Sequence, residues 1–598
     1  MGTQVAGLPP EPASITLAKS VENDTERRKS REAQREFERE TLDNRIAALE
    51  KELFELKCHR NRLSSISQLP PEILSRIFFF CERSVPEKVL KHGRPHWVNV
   101  THVSHYWRNV ALGCPSLWSN IHYTAQSSQS WTQAMLDRSQ SVPLAVGVEW
   151  FCDEDLPSST EVSFQRALEK NCSRLEQLYF QADSHTTLRE FLEYIPPSVP
   201  NLRTLSISDC GSGNRTFRHT QSLKLDAPKL RDLRLINCRI NWTSPLLRGL
   251  TSLRVWSHVN ATGLSNPPPT AGEFLQALEN MPALESLSLK IVYPDLSSMK
   301  REPVQLHHLQ DLSLDGPFAE VVGVLRHLSI PTTTRINLAC SVSTSGISRI
   351  STMFGRALHS SWLSAPLAKG SSDAAPQHLK SLVLSPHKEA VIIYGWFLPH
   401  TYPDWNRDRP ELTLQLDFEA DSDRPRLAQL LSRLPIAQVR SLALYGVITE
   451  EDLVPICRLP FLQKIALRRT IAQTFLEYMA AEPSLRDGSQ NTSLNYLPQL
   501  QVVAIDKTDF YGMDDELSVE ELLDFLMIRY EFGVPVQMVE IRGCYNLHKR
   551  DVCSIKHVVG EMVYWDGVEE RNEPEDSDEE VKCEDTESDA LDSGDDDQ

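Results

Sequence analysis

The sequence predicts a mixed α/β chain: an N-terminal helix, a small all-α block, a repetitive α/β solenoid and a disordered acidic tail. Three observations carry this expectation. A unit with apolar residues at positions 1, 4 and 6 recurs eleven times between Leu175 and Ile541. A Pro-Pro helix start and a Trp-bearing apolar stripe lie just before it. The net charge of −19 over 598 residues is concentrated at one end.

Residues 1–22 are rich in Pro and small residues and are expected to be disordered. From 23 to 65 the composition turns to Arg, Glu and Lys with spaced apolar residues. Leu42, Ile46, Leu49, Leu53, Leu56 and Leu63 follow alternating spacings of four and three, with Arg60 in one apolar slot. This is a heptad seam of about three repeats. It fits either a zipper between two copies of the chain or a solvated helix leaning on the next domain, because so short a seam is marginal alone.

Residues 66–122 form the predicted all-α block. Leu69-Pro70-Pro71-Glu72-Ile73-Leu74 reads as a helix start: Pro fits the first turn, where backbone N–H groups lack intrahelical partners, and Glu72 suits the positive end of the dipole. Ile73, Leu74, Ile77 and Phe78 give an apolar stripe. A second helix is expected over Val98–Ala111, with Val100, Val103, Trp107, Val110 and Ala111 on one face, before Cys114-Pro115-Ser116-Leu117-Trp118.

The repeats span 142–565. Leu175-Leu178-Phe180, Leu202-Leu205-Ile207, Leu230-Leu233-Leu235, Leu250-Leu253-Val255, Leu284-Leu287-Leu289 and Leu309-Leu312-Leu314 are the first six. Leu379-Leu382-Leu384, Val439-Leu442-Leu444, Leu462-Ile465-Leu467, Leu500-Val503-Ile505 and Val536-Val539-Ile541 follow, with weaker copies at Ile336-Leu338 and Leu412-Leu414-Leu416. Positions 4 and 6 point to one face of a short strand, and position 1 plugs the same core from the preceding turn. No single unit buries that face alone, so neighbours stack into a parallel sheet. Helical stretches ending at Pro, such as Glu273–Met281 before Pro282, Leu427–Leu434 before Pro435 and Glu520–Phe532 before Pro535, supply the outer layer. Long gaps predict insertions at about 340–378, 385–411 and 470–498. Cys210, Cys238 and Cys544 each stand three residues after a core position and read as small buried residues closing a turn, not as metal ligands.

The tail, 566–598, holds 17 acidic residues against Arg571 and Lys582, so the body is nearly neutral. Such a tail cannot bury enough apolar surface to offset chain entropy. Its Ser577 and Ser593 precede acidic residues in the manner of acidophilic kinase sites. Nothing in the body forms the basic field that recruits nucleic acid. No stretch is long and apolar enough to span a bilayer. The N-terminus lacks the pattern of a secretory signal, and the 12 cysteines form no CxxC pair, so reduced thiols in cytosol or nucleus are expected. Sequence patterns of phosphate loops, zinc proteases and serine-hydrolase elbows are missing.

The block at 66–122 resembles the F-box family, whose first helix begins Leu-Pro-x-Glu-Ile-Leu and whose later helix carries Val-Cys-(Lys/Arg)-x-Trp-Arg. Here the second signature reads Val103-Ser104-His105-Tyr106-Trp107-Arg108, with Ser104 for Cys and His105 for the basic residue. The repeats resemble the cysteine-type leucine-rich repeat. Together the resemblances imply a substrate-recognition subunit of a Skp-cullin-F-box ubiquitin ligase, without catalytic residues or cofactors of its own. A Skp-type adaptor, and through it cullin and RING subunits, would dock on Leu69, Pro70, Glu72, Ile73, Leu74, Ile77, Val103 and Trp107, with Trp107 mainly core. A protein substrate would lie on exposed strand positions, including Tyr179, Arg234, Trp256, Lys290, Tyr445, Arg468, Glu540 and Arg542. The alternatives are a repeat scaffold that binds the adaptor without delivering a substrate, and an enzyme hidden in the insertions.

Overall fold

The structure is a computed structural model describing residues 13–83, 96–124, 127–150, 158–183, 188, 192–210, 225–238, 241–257, 269–291, 293–342, 347–363, 377–387, 390–400, 408–418, 427–446, 448–481, 496–510 and 517–569. The chain divides into two compact units, 1–147 with 157–167, and 148–156 with 168–598.

The first unit opens with α1 (Ala13–Arg62). No Pro or Gly interrupts this stretch, and either would cost a helix interior roughly 1–3 kcal/mol. The helix takes in 13–22, part of the segment expected to be disordered; residues 1–12 lie outside the described residues. A 3₁₀ turn at Ser65–Gln68 leads to α2 (Pro71–Arg83), which starts on Pro71 with Glu72 in its first turn. The single helix expected over 98–111 is instead two pieces, a 3₁₀ helix at His96–His102 and α3 (His105–Leu112). The break is chemical. Ser104 is extended, and its hydroxyl accepts from the Trp107 N–H at 3.2 Å, so it caps a new helix. The unit continues with β1 (Asn120–Thr124) and α4 (Gln129–Arg138), while β2 (Leu144–Trp150) and α5 (Ser158–Asn171) begin in it and end in residues of the second unit.

Aromatic rings form the core of this unit. Trp118 is buried, donates its indole N–H to the Ala111 carbonyl at 2.7 Å, meets Trp97 edge-on at 5.1 Å and carries the Arg138 guanidinium 4.4 Å above its ring. Phe78 from α2 lies 5.2 Å from Trp107 of α3.

The second unit is a large, mainly parallel sheet. Its strands are β3 (Leu175–Ala182), β4 (Thr204–Asp209), β5 (Asp232–Ile236), β6 (Ser252–Trp256) and β7 (Ser286–Lys290). After the short β8 (Val304–Gln305) come β9 (Asp311–Pro317), the short β10 (Leu328–Ser329), which pairs with β8, and β11 (Arg335–Val342). The remainder are β12 (Ser381–Pro386), β13 (Ala390–Trp396), β14 (Leu412–Phe418), β15 (Ser441–Leu444), β16 (Lys464–Arg468), β17 (Val502–Asp506), β18 (Met538–Arg542) and β19 (Val563–Trp565).

Register aligns the repeat positions. Leu178, Leu205, Leu233, Leu253, Leu287 and Leu312 form one row, and Phe180, Ile207, Leu235, Val255, Leu289 and Leu314 the next. The residues expected at positions 1, 4 and 6 are buried in all eleven copies, and the weaker copies become β11 and β14. Helices connect many of the strands: α6 (Ala271–Glu279), α7 (Phe318–Arg326), α8 (Ile347–Leu358), α9 (Leu427–Leu431), α10 (Glu450–Cys457), α11 (Ile471–Ala481), α12 (Val519–Glu531) and α13 (Lys549–Val559). Thr270 with Glu273 and Ser518 with Glu521 make reciprocal caps at the starts of α6 and α12.

The expected insertions are largely regular structure. Segment 340–378 holds α8, and 470–498 holds α11; residues 364–376 and 482–495 within them lie outside the described residues. Segment 385–411 supplies β13, which runs antiparallel between β12 and β14, so the sheet proceeds β11–β14–β13–β12–β15. Gly395 stands where the reversed strand meets Leu382 and Leu412, and a Cβ there would approach Leu379 to 3.0 Å. The acidic tail beyond residue 569 lies outside the described residues.

Candidate partner-binding surfaces

The stripe predicted on α2 splits into an inner and an outer half. Leu74 and Phe78 face the aromatic core with no exposed surface. Leu74 is therefore corrected from adaptor contact to core residue: a side chain with no exposed surface presents nothing to a partner. Ile73 is 44% exposed and Phe80 66% exposed, with half-buried Ile77 between them on the same helical face. Pro70 and Glu72 are exposed, and Leu69 is half-buried. The Tyr106 hydroxyl donates to the Leu69 carbonyl at 2.8 Å, so the start of α3 fixes the segment that enters α2. Trp107 is half-buried against Phe78, in keeping with a role that is mainly core. Val103, expected on the inner stripe of a continuous helix, sits at the break before Ser104 and is 56% exposed. Exposed Phe80 and Ile66, and Tyr106 with its hydrogen bond to Leu69, were not singled out from the sequence. Phe80 lies seven residues after Ile73, so its place on the outer stripe was readable from spacing.

The polar strand positions form the face opposite the leucines. Tyr179, Ser206, Arg234, Arg254, Ser288 and Ser313 make one row. The adjacent row runs Gln181, Ser208, Ile236, Trp256, Lys290 and Asp315. Tyr179, Arg234, Trp256 and Lys290 thus converge on neighbouring rows. Trp256 donates its indole N–H to Ser288 at 2.8 Å, and the Arg254 guanidinium lies 5.0 Å above its ring. Lys290 pairs with Asp315 at 2.8 Å, and Arg234 with Asp232 at 3.1 Å.

Tyr445, Arg468, Glu540 and Arg542 form a second group. Arg468 lies 5.5 Å over the Tyr445 ring, and Arg542 5.1 Å over Tyr564. Arg468, Asp506 and Arg542 occupy one row. Glu540 is corrected: it is only 6% exposed, and both carboxylate oxygens accept from the Lys464 ammonium at 3.0 and 3.1 Å. Lys464 was missed because no sequence pattern marks an ion pair 76 residues apart. Burial pulls Lys464 down to about 8, with Arg542 adding to the effect, and burial also pushes Glu540 up. The attraction between the two therefore only partly offsets the cost of removing both charges from water.

Of the three cysteines expected to close turns, Cys238 and Cys544 are buried and donate to the Ile207 and Ile505 carbonyls of the neighbouring strands. Burial raises both thiols, Cys544 to about 12 and Cys238 well above its ordinary value. Cys210 is exposed, a correction: it ends the described part of its turn, and the Gln181 amide contacts its sulfur. Among the described residues no group of three or more His, Cys, Asp or Glu side chains is placed to hold a metal ion.

Residues 66–124 match a family model described as F-box-like. The chain therefore carries an F-box-like domain, made of α2, α3 and the turns around them. No curated protein matches the chain. Among solved structures it is similar to one described as the crystal structure of the Rad7 and Elc1 complex in yeast. That likeness has 10% identity, covers 83% of this chain and 94% of that one, and has a TM-score of 0.22.

Proposed function

We propose that the chain is the substrate-recognition subunit of a Skp-cullin-F-box ubiquitin ligase. One observation carries the reading: an F-box-like domain that fills its own core with Leu74, Phe78 and Trp118 and still leaves Ile73, Phe80 and Val103 on its surface. Exposed apolar residues grouped in this way mark docking surfaces. In this reading Leu69, Pro70, Glu72, Ile73, Ile77 and Val103 meet a Skp-type adaptor, and Trp107 holds α3 against α2. The adaptor brings cullin and RING subunits. The parallel strands form a leucine-rich-repeat solenoid whose polar rows bind a protein substrate, with Tyr179, Arg234, Trp256, Lys290, Tyr445, Arg468 and Arg542 as contacts. The bond-forming chemistry belongs to the conjugating enzyme; this chain contributes proximity. Such a complex works in cytosol or nucleus.

The test is co-purification of the full chain with a Skp-type adaptor and cullin. The double substitution Leu69→Ala with Pro70→Ala, and separately Ile73→Asp, are expected to abolish adaptor capture while thermal unfolding of the repeats is unchanged. Undiminished capture by both variants would overturn the docking assignment. Capture of adaptor without cullin would favour a scaffold that delivers no substrate.

A further inference from the structure

We propose that α1 is one strand of a parallel, in-register coiled coil formed with a second copy of this chain, with its seam between Leu42 and Leu63. The seam is open. Leu42, Ile46, Leu49, Leu53, Leu56 and Leu63 are all between 50 and 71% exposed. A helix that keeps six large apolar side chains on one stripe in water gains nothing from burial until something covers them. The helix does touch the rest of its unit, but from another side. Phe54, one position beyond the seam residue Leu53, meets the His105 ring edge-on at 5.6 Å. The contact with α3 therefore leaves the stripe free.

Heptad assignment decides what covers it. The spacings place Ile46 and Leu53 at position a, and Leu42, Leu49, Leu56 and Leu63 at position d. Leu at every d position, with β-branched Ile46 at one a position, fits two parallel strands. Arg39 and Arg60 fall at a and bound the continuous part of the seam. The flanking charges then select orientation. In a parallel dimer each g residue faces the e residue of the partner's next heptad. Arg45 meets Glu50 of the second copy, and Glu52 meets Lys57; both pairs are attractive and both occur twice. The like-charged pair, Glu38 with Asp43, flanks the layer at which the seam ends. An antiparallel dimer offsets its attractive pairs: one register sets Asp43 against Glu50 beside Arg45 with Glu52, and the next sets Glu50 against Glu50 and Glu52 against Glu52 beside Asp43 with Lys57. The parallel, in-register alignment thus makes four attractive pairs where an antiparallel one makes at most two, and the occupant that carries the matching pattern is this same helix. From Leu42 to the end of α1 the seam covers about 31 Å of helix, with Leu63 in the turn that follows.

Sedimentation equilibrium of the full chain tests the proposal. The expected mass is twice 67.8 kDa, falling to the single-chain mass for Leu49→Asp with Leu53→Asp, with circular dichroism showing that the repeats remain folded. Glu52→Lys is expected to weaken association by roughly an order of magnitude, and adding Lys57→Glu to restore it. Leu49→Cys, under mild oxidation, is expected to give a covalent dimer whose peptide map joins position 49 to position 49. A single-chain mass at every concentration overturns the proposal, as does a dimer that survives the two Asp substitutions. A dimer that leaves position 49 unjoined overturns the parallel register.

Discussion

The same repeat position behaves differently at the two ends of the sheet. Position 5, between the two leucines, reads Tyr179, Ser206, Arg234, Arg254, Ser288, Ser313 and Asn337 from β3 to β11. Through β12, β15, β16, β17 and β18 it reads Val383, Ala443, Ala466, Ala504 and Glu540. The first row is polar and holds two charges, Arg234 and Arg254. The second is small and sealed: Val383, Ala443, Ala466 and Ala504 pack with Trp396, with Tyr394 and Tyr445 against them. The reversed strand β13 makes the difference. It brings Trp396 to the face opposite the leucines, where a row of alanines leaves room for it, and the Lys464–Glu540 pair reaches across the same small side chains. One end of the face is thus polar, and the other is a second core.

That contrast breaks most sharply at the two tryptophans. Trp396→Ala removes a ring only 1% exposed, whose indole N–H donates to the Asp408 carbonyl at 3.0 Å, and is expected to cost about 4 kcal/mol in chemical denaturation. Trp256→Ala, at a half-buried ring on the open end, is expected to cost about 1 kcal/mol. Equal losses would show that the open end is packed as tightly as the closed one.

The ion pair sharpens the comparison next. Lys464→Met leaves buried Glu540 with only the longer 3.7 Å contact to Arg542, with an expected loss of about 3 kcal/mol, whereas Lys464→Met with Glu540→Leu is expected to be near neutral. A double-mutant cycle read by urea unfolding decides between them. The pH response has a definite sign. Burial lowers Lys464 from 10.5 to about 8 in the folded chain, so between those values the unfolded chain binds more protons. Stability contributed at this site rises with pH across that window and is lowest below it, where folding must retain the buried charge. Lys464→Met is expected to flatten that rise.

Much of this architecture was legible because the strands repeat a short rule. Positions 1, 4 and 6 specify strand, face and core together, so eleven copies were found from spacing alone. β13 was not legible. Its run Val391-Ile392-Ile393-Tyr394 has no 1-4-6 frame, because a strand buried on both faces does not alternate. On α2 the sequence showed a stripe of Ile73, Leu74, Ile77 and Phe78. Which half of it turns inward depends on where α3 packs, and that was set by Ser104 capping a separate helix, a choice no periodicity records. Lys464 failed for a further reason: its partner is distant in sequence, and the small residues between them carry no polar signal.

The smallest expected effect is the most informative about binding. Arg234 is exposed and pairs with Asp232, two residues away on its own strand. Exposed pairs of this kind contribute little, and Arg234→Ala is expected to change unfolding free energy by less than about 0.5 kcal/mol. The open row therefore offers a position where loss of affinity cannot be mistaken for loss of fold. If the polar rows grip a substrate, Arg234→Ala weakens its capture from cells treated with a proteasome inhibitor while adaptor capture stays constant, and the reverse substitution at the closed end, Ala466→Arg, disrupts folding before binding can be read. Substrate capture that is indifferent to Arg234 and Trp256 together would move the binding surface off these rows.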